Sequence, residues 1–278
     1  MKELNHLSDI IDAYDTFVID LWGVIHNGIK LNEKAMEVVD NLKKNSKKIV
    51  FLSNAPRPSV KVINFLLKMK MDKQYLSNVM TSGEAAMHAI NKDKFGKTFF
   101  HLGPSRDESI FEKVKENKTT IDNCDFILCT GLFNEDGLDL NKPQLHKNDL
   151  DYYKNFLLKH TSKKLVCTNP DLTVHRGNNE EYCAGYIAKI FEELGGKTIY
   201  YGKPYKEIYD MCFKANEKVL AIGDNLRTDI KGANNLNKDC LFISDGVHRD
   251  EFSNNLELEK LLNKYQVKAN YFQKELQW

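Results

Sequence analysis

Nine short apolar runs recur along the chain, separated by amphipathic stretches. Within a run the apolar residues are continuous rather than alternating with polar ones, which is typical of strands covered on both faces. Parallel sheets that lie between two layers of helices show this pattern. The predicted strands are residues 16–20, 48–53, 78–82, 98–102, 125–129, 164–168, 198–202, 219–223 and 240–244.

Amphipathic segments lie between these runs. Residues 33–44 repeat apolar positions at helical spacing, and residues 81–90 begin with T-S-G-E, a sequence typical of a helix start. Residues 204–215 open with a proline, which is favoured in the first turn of a helix. Their apolar positions on one predicted face are Tyr205, Ile208, Tyr209 and Cys212. Because strands and helices alternate, the sequence predicts an α/β fold.

The composition is that of an ordinary globular protein, with 278 residues, 42% of them hydrophobic and 28% charged. This length suits one large domain or two moderate ones. Forty basic and 39 acidic residues give a formal net charge of +1, so net charge does not favour nucleic acid or an anionic membrane as partner. No run approaches the roughly 18 apolar residues of a membrane span. We therefore expect no nucleic acid and no membrane among its partners.

The six cysteines form neither a C-x-x-C pair nor a zinc-binding spacing. Several lie inside apolar runs, as Cys129 and Cys167 do, where a reduced thiol packs as a small hydrophobic group. The first ten residues also lack the apolar segment of a secretion signal. These features predict a cytoplasmic protein.

Distinctive polar residues stand where four of the predicted strands end. Ligands of open α/β sheets bind at the carboxyl ends of strands, so these positions are candidates for function. A carboxylate, a hydroxyl, a lysine and an acidic pair together suit phosphoryl chemistry on a hard metal ion. The residues, in chain order, are Asp20, Ser53, Asn54, Lys203, Asp224, Asn225 and Asp229.

Each of these residues has a role in such chemistry. Magnesium prefers oxygen ligands and keeps several waters, so Asp20, Asp224 and a backbone carbonyl suffice to hold it. The Ser53 hydroxyl, backbone N–H groups near Asn54 and the Lys203 ammonium can hold the oxygens of a phosphoryl group. The carboxylate of Asp20 can then attack phosphorus and form an aspartyl-phosphate. Asp20, Ser53 and Lys203 are thus the predicted catalytic residues.

Any one of these features alone has an ordinary structural explanation. A strand-end Asp often caps a helix or forms a turn, Ser53 can be a plain turn residue, and Lys203 can be an exposed lysine. Their joint occurrence at strand ends favours a functional site. Signatures of other classes are absent, because the sequence contains no G-x-G-x-x-G, no P-loop and no H-E-x-x-H.

As a set, the four motifs resemble those of the haloacid dehalogenase superfamily. The first is the aspartate motif at residues 20–24, the second is S-N at 53–54, the third is G-K-P around Lys203 and the fourth is G-D-x₄-D. A long insert between the second and third motifs, with T-S-G-E-A at 81–85 and T-N-P-D at 168–171, is similar to class IIA. That branch contains sugar-phosphate, nucleotide and p-nitrophenyl phosphatases.

The resemblance implies a Rossmann-like, doubly wound parallel sheet core with an inserted α/β cap domain of the C2 type. The core is expected at residues 1–90 and 198–278, and the cap at 91–197. The resemblance further implies a Mg²⁺ cofactor held by Asp20, Asp224 and the carbonyl of Trp22. It implies a small phosphorylated metabolite as the binding partner. The oligomeric state is left open, with a homodimer as one option.

Supporting roles follow from the same resemblance. Asp229 is expected to orient the waters on the metal or Lys203, with Asn225 beside it. In the cap, Asp171 is expected to face the substrate together with His175. Both of these cap residues can equally be loop residues with turn roles.

The sequence departs from the family at Trp22. Phosphatases of this family normally carry an aspartate two positions after the nucleophile, where it protonates the leaving oxygen and then activates the hydrolytic water. An indole cannot transfer a proton in this way, whereas the backbone carbonyl of Trp22 can still bind the metal. The metal site is therefore expected to persist without the usual general acid and base.

Four hypotheses account for this departure. The enzyme is slow and restricted to good leaving groups, or another residue supplies the acid, with His26, Asp171 and His175 as candidates. Alternatively, catalysis is lost and a phosphate-binding or regulatory protein remains. The fourth hypothesis is a dehalogenase-like hydrolase, because dehalogenases of the superfamily also carry an aromatic residue at this position. They do not require the acidic pair that Asp224 and Asp229 form, which argues against this hypothesis.

Overall fold

The computed structural model describes residues 1–132, 150–176 and 179–278, and its described part contains three β-sheets. The largest sheet has seven parallel strands in the order β1-β13-β12-β11-β2-β3-β4. Their bounds are β1 Lys2–Glu3, β2 Thr16–Asp20, β3 Lys48–Ser53, β4 Val79–Thr81, β11 Val219–Gly223, β12 Asp239–Ile243 and β13 Tyr271–Gln273. Chain order reverses on either side of β2, so the sheet is doubly wound, as predicted.

The second sheet has four parallel strands in the order β10-β7-β6-β5. These are β5 Phe99–Leu102, β6 Phe126–Cys129, β7 Lys164–Cys167 and β10 Lys197–Tyr200. A short antiparallel hairpin joins β8 Thr173–Arg176 to β9 Asn179–Tyr182. The α/β fold with an inserted α/β cap is thereby confirmed.

The expected boundary at 197/198 does not coincide with the division between the two sheets. We expected the strand at 198–202 to begin the second core segment. In the structure, β10 pairs with β7, with Ile199 opposite Val166. It therefore belongs to the second sheet. Both sheets are parallel and buried, so an apolar run carries no signal of which sheet it joins.

The described helices and the predicted ones agree in part. The α-helices are α1 Glu33–Lys44, α2 Ser59–Lys68, α3 Ser82–Ile90, α4 Leu150–Leu158, α5 Ala184–Glu193, α6 Lys206–Tyr209, α7 Lys231–Asn235 and α8 Asn255–Tyr265. The 3₁₀ segments are Leu7–Ala13, Lys73–Tyr75 and Ser105–Asn117, and Leu226–Ile230 forms a π-helical turn. The helix predicted at 81–90 is confirmed, and Thr81 caps it by accepting a hydrogen bond from the Glu84 N–H at 3.0 Å.

The predicted helix at 204–215 was too long. The backbone of Tyr205 is extended, with φ −80° and ψ 140°, so the helix begins only at Lys206. The predicted apolar face is largely correct, because Ile208, Tyr209 and Cys212 pack together in one cluster of the core. Tyr205 instead stacks on Tyr200 at 5.2 Å between ring centroids.

Both faces of the large sheet are buried, which accounts for the continuous apolar runs. On one face, Phe17 and Ile19 of β2 pack in a cluster with residues of α1 and α2. On the other face, Val18 packs in a cluster with Ile208 and Tyr209. Within the described residues no helix is long and apolar enough to span a membrane.

Candidate active site

The carboxyl ends of three neighbouring strands bring the predicted residues together. Asp20 is the last residue of β2, Ser53 is the last residue of β3, and Asp224 directly follows β11. Because β2 lies between the other two strands, its aspartate is flanked by the groups that they carry. All three side chains are buried. The sheet order thus gathers residues separated by about two hundred positions in the sequence.

Lys203 lies at the centre of this group. Its ammonium donates hydrogen bonds to Oδ1 of Asp20, to Oδ1 of Asp229 at 2.6 Å and to the Leu52 carbonyl at 3.2 Å. Burial alone would lower the pKa of Lys203, but the charges of Asp20 and Asp229 outweigh this effect and raise it well above its ordinary value. The lysine is therefore a fixed positive charge beside the candidate nucleophile.

Asn54 holds the backbone of Lys203 in place. The Lys203 N–H donates to Oδ1 of Asn54 at 2.7 Å, and Nδ2 of Asn54 donates to the Lys203 carbonyl at 3.2 Å. Both bonds are buried and join residues 149 positions apart. Asn54 therefore positions the lysine through its main chain, a role that the sequence did not predict.

Three buried carboxylates form a cluster that can hold a cation. Asp20, Asp224 and Asp229 each offer an oxygen within 4.8 Å of the others. Burial, together with the neighbouring carboxylates, raises the pKa of Asp224 to about 7, and burial also raises that of Asp20, against the opposing charge of Lys203. Three carboxylates face one ammonium, so a divalent ion would balance the charge.

The backbone around this cluster leaves room close to Asp224. Gly23 has φ +90°, and a Cβ at that position would lie 2.1 Å from Oδ2 of Asp224. Only glycine fits both the left-handed backbone and this close approach. Oxygen-only donors in a glycine-lined space fit a hard cation such as Mg²⁺.

Asp229 contacts the other groups through both of its oxygens. Oδ1 accepts the hydrogen bond from Lys203, and Oδ2 accepts one from the Asn225 N–H at 3.1 Å. It thus links the lysine to the loop that carries Asp224. Ser53 lies on the neighbouring strand end, where its Oγ accepts a hydrogen bond from the Ala55 N–H at 3.2 Å.

Asp171 reaches the same place from the second sheet. It lies in the loop after β7, and its Oδ1 accepts a hydrogen bond from Nδ2 of Asn225 at 3.2 Å. Burial raises the pKa of Asp171 to about 6, against the opposing charge of Lys203. Asp171 therefore lines the cavity at the site, and its predicted contact with a substrate stays a prediction. The side chain of His175 lies outside the described part of the chain.

Trp22 is built into the loop after β2. Its ring lies edge-on to that of His26, with centroids 5.1 Å apart. Gly28 lies against the indole, where a Cβ would come within 2.6 Å of it. Nδ1 of His26 accepts a hydrogen bond from the Gly28 N–H at 3.0 Å. The loop is thus shaped around the large side chain.

A cavity of about 550 Å³ lies above the carboxylate cluster, between the two sheets. The large sheet contributes Asp20, Ser53, Asp224 and Trp22, the segment after β10 contributes Lys203, and the second sheet contributes the loops after β5, β6 and β7. Three arginines that the sequence did not single out, Arg57, Arg106 and Arg249, also line it. Arg57 follows the S-N motif closely, which is a weak signal, whereas nothing in the sequence marks Arg106.

Comparisons with known proteins agree with this geometry. A family model described as haloacid dehalogenase-like hydrolase matches residues 17–115, and a related model described as HAD-hydrolase-like matches residues 200–269. These two ranges contain all of the motif residues, Asp20 and Ser53 in the first and Lys203, Asp224 and Asp229 in the second.

Individual proteins resemble the chain over most of its length. It is 24% identical to a 5'-nucleotidase, YutF, of Bacillus subtilis, with 86% of this chain and 90% of that protein covered. It is 26% identical to a 4-nitrophenylphosphatase of Schizosaccharomyces pombe, with 87% and 88% covered. A haloacid dehalogenase-like hydrolase from Brucella suis superimposes with a TM-score of 0.83 at 26% identity, over 99% and 100% of the two chains.

The sheet order, the buried Asp20–Lys203–Asp229 arrangement and the two family matches lead to one assignment. The chain belongs to the haloacid dehalogenase superfamily of hydrolases, in the class IIA branch that its motifs and its insert indicated.

Proposed function

We propose that the protein is a Mg²⁺-dependent phosphatase that acts on a small phosphorylated metabolite through an aspartyl-phosphate on Asp20. The observation that carries this proposal is the buried cluster at the strand ends, where Asp20 and Asp229 share the Lys203 ammonium and Asp224 lies within 4.8 Å of both. The arrangement combines a nucleophile, a phosphate-binding cation and oxygen ligands for a metal. The two similar proteins named above are, by name, a 5'-nucleotidase and a 4-nitrophenylphosphatase, which both release phosphate from a monoester.

The chain's own residues perform the bond changes. Lys203 holds Oδ1 of Asp20, so the carboxylate is fixed in orientation before it attacks. A carboxylate oxygen forms a bond to phosphorus while the bond to the leaving oxygen breaks, and water later cleaves the acyl phosphate. Ser53 and Lys203 bind the phosphoryl oxygens, whose negative charge is spread in the transition state.

Asp20, Asp224 and the carbonyl of Trp22 would hold a magnesium ion, which would neutralise charge on the phosphoryl oxygens. Asp229 acts through Lys203 and Asn225, because both of its oxygens accept hydrogen bonds from these residues.

Protonation of the leaving oxygen is the step that this site assists least, since Trp22 has no acidic group. Turnover should therefore be fastest with leaving groups that are weak bases, such as acyl and aryl phosphates, and slow with alkyl phosphates. Asp171 is an acid that the second sheet places at the site and whose pKa of about 6 suits proton transfer. His26 lies farther along the Trp22 loop and remains a second candidate.

The proposal is tested by incubating the protein with Mg²⁺ and acetyl phosphate and measuring both inorganic phosphate release and the intact mass. We expect release of phosphate or an added phosphoryl group on the protein. Asp20→Asn should abolish both. Bound phosphate without turnover or adduct would instead favour a non-catalytic phosphate-binding protein.

The remaining assignments are also proposals. All six cysteines, each of them in the described part of the chain, are free and buried, which supports a reducing, cytoplasmic location. The two named relatives act on leaving groups of different chemistry, a nucleoside and a nitrophenol. Their names therefore do not identify which metabolite is the substrate of this protein. A homodimer stays an open prediction, tested by light scattering.

A further inference from the structure

Arg57 and Arg106, two of the three arginines in the cavity wall, come from different parts of the fold. Arg57 lies in the loop after β3, four residues beyond Ser53, and Arg106 lies in the first turn of the 3₁₀ segment after β5. Both line the cavity above the carboxylate cluster. Neither has a role in the phosphoryl chemistry described above.

Arg57 is fixed by one buried carboxylate. Its Nε donates a hydrogen bond to Oδ1 of Asp107 at 2.5 Å, and Asp107 is 1% exposed. Its carbonyl also accepts a hydrogen bond from Oγ1 of Thr81 at 2.7 Å. Within the described residues the two terminal nitrogens of Arg57 form no hydrogen bond, so that end of the guanidinium is available to a ligand.

Arg106 is exposed to the cavity and forms no ion pair or hydrogen bond with any described residue. The charge of Arg106 also acts on its neighbour Asp107, but the ion pair of that carboxylate is with Arg57. Glu181 also lines the cavity, but it has a partner of its own. Arg57 and Arg106 therefore carry two positive charges beside the single carboxylate of Asp107. This part of the cavity wall keeps a net positive charge.

We propose that Arg57 and Arg106 bind a second anionic group of the substrate. The substrate class is then a phosphate monoester whose leaving group carries a carboxylate or a further phosphate. Arginine is suited to this role because its planar guanidinium matches both groups through paired hydrogen bonds. This inference rests on the proposed function in one respect, since it takes the transferred phosphoryl group to sit at Lys203.

Binding of a second anionic group also affects the rate of a site that has no acid at position 22. A leaving group that is held in the cavity by its own charge gains orientation from binding energy away from the reacting bond. Such positioning contributes to the rate without any proton transfer. For an anionic substrate this binding energy offsets part of the rate that the missing acid at Trp22 costs.

The test uses phosphonates, which cannot be hydrolysed, with calorimetric binding in the presence of Mg²⁺. The probes are 3-phosphonopropionate, with a carboxylate, propane-1,3-bisphosphonate, with a second phosphonate, and propylphosphonate, with neither. We expect the wild type to bind one or both of the first two at least about tenfold more tightly than propylphosphonate. Their comparison decides which anion is preferred.

Arg106→Gln should remove most of that preference, roughly tenfold, and leave the affinity for propylphosphonate unchanged. Arg106 is exposed, so this variant should fold normally. Lys113→Gln is the matched control, because it removes the same charge from the same 3₁₀ segment outside this cavity. It should bind all three probes as the wild type does.

Equal binding of all three probes to the wild type would overturn the second-anion site, and so would an equal loss of all three in Arg106→Gln. If propylphosphonate binds and acetyl phosphate is processed in those cases, the proposed phosphatase function stands. If no phosphonate binds and Asp20 is never phosphorylated, both proposals fail together.

Discussion

Trp22 is the residue at which this chain departs from the first motif of the family. The indole stands two positions after the nucleophile and makes an edge-on contact with His26, and the backbone at Gly28 leaves space for it. A glycine that accommodates the ring indicates a loop adapted to tryptophan rather than a local defect. The chemistry of the site then has to proceed without a carboxylate at this position.

Restoring that carboxylate gives a direct prediction. General acid–base groups contribute about 10²–10⁴-fold to rates, so we expect Trp22→Asp to raise kcat for an alkyl phosphate at least about tenfold. The gain should be small for acetyl phosphate, whose leaving group needs no proton. Rates are measured by phosphate release with Mg²⁺.

Trp22→Phe controls for the loss of the indole, because it replaces the indole with a smaller aromatic ring and adds no acid. It should not accelerate the alkyl phosphate. Equal rates for the Asp and Phe variants would contradict a missing acid as the cause of slow turnover.

The sequence predicted those site residues that belong to the four motifs. Asp20, Ser53, Lys203 and Asp224 all stand at predicted strand ends, and parallel strands bring such ends together. The pairing of Asn54 with the Lys203 main chain was not predictable, because it joins two loops with no shared pattern. Arg106 was missed for a related reason, since it enters the cavity only through the packing of one sheet on the other.

At the level of elements, all nine strands predicted from apolar runs are present. Burial on both faces of a sheet gives such strands continuous apolar residues, which the sequence shows clearly. Other elements carried weaker signals. The strands β1 and β13 lie at one edge of the sheet and span two and three residues, so they contain too few positions for a pattern. The helix predicted at 204–215 had the right face but the wrong length, because apolar periodicity persists through the turns that follow α6.

One carboxylate joins the amino ends of three neighbouring strands, β11, β2 and β3. Glu217 accepts hydrogen bonds from Oγ1 of Thr16 at 2.5 Å, from the Lys214 N–H at 3.0 Å and from the Lys48 ammonium. Partial burial by itself would raise the pKa of Glu217, but these bonds outweigh it and lower the pKa to about 2. The ionised form is thus stabilised in the folded protein.

The pH dependence of stability follows from that shift. A lowered pKa means that the contribution of Glu217 is fully present above its ordinary value and is lost as the pH falls toward about 2. Glu217→Gln should therefore lower the free energy of unfolding by about 1 kcal/mol near neutral pH. Chemical denaturation from about pH 7 to about pH 3 should show this difference shrinking. A constant difference would mean that the charge is not involved.

At the scale of the whole molecule, the site depends on groups that both sheets supply. The core brings the three carboxylates, the segment after β10 brings Lys203, and the second sheet brings Asp171 and Arg106 to the same cavity. Arg57 and Asp107 join the two parts through an ion pair with an almost fully buried carboxylate. Substrate recognition and chemistry therefore both require the two parts to pack together.

Cation binding should stabilise the entire fold. Three buried carboxylates face one ammonium, so an added divalent ion relieves repulsion that only the folded state contains. Millimolar Mg²⁺ should raise the melting temperature by about 2–5 °C, and a chelator should reverse this. Asp224→Asn should abolish the shift. An equal shift in that variant would place the ion elsewhere.

The position of β2 has a consequence for the chain while it is being synthesised. β2 pairs with β3 on one side, only about thirty residues away, but its other neighbour, β11, is made nearly two hundred residues later. Until then the nascent polypeptide carries an apolar strand with one row of unpaired N–H and C=O groups, a surface prone to association with other chains. Chaperone demand during translation should thus be set by the length of the insert rather than by the stability of the finished enzyme.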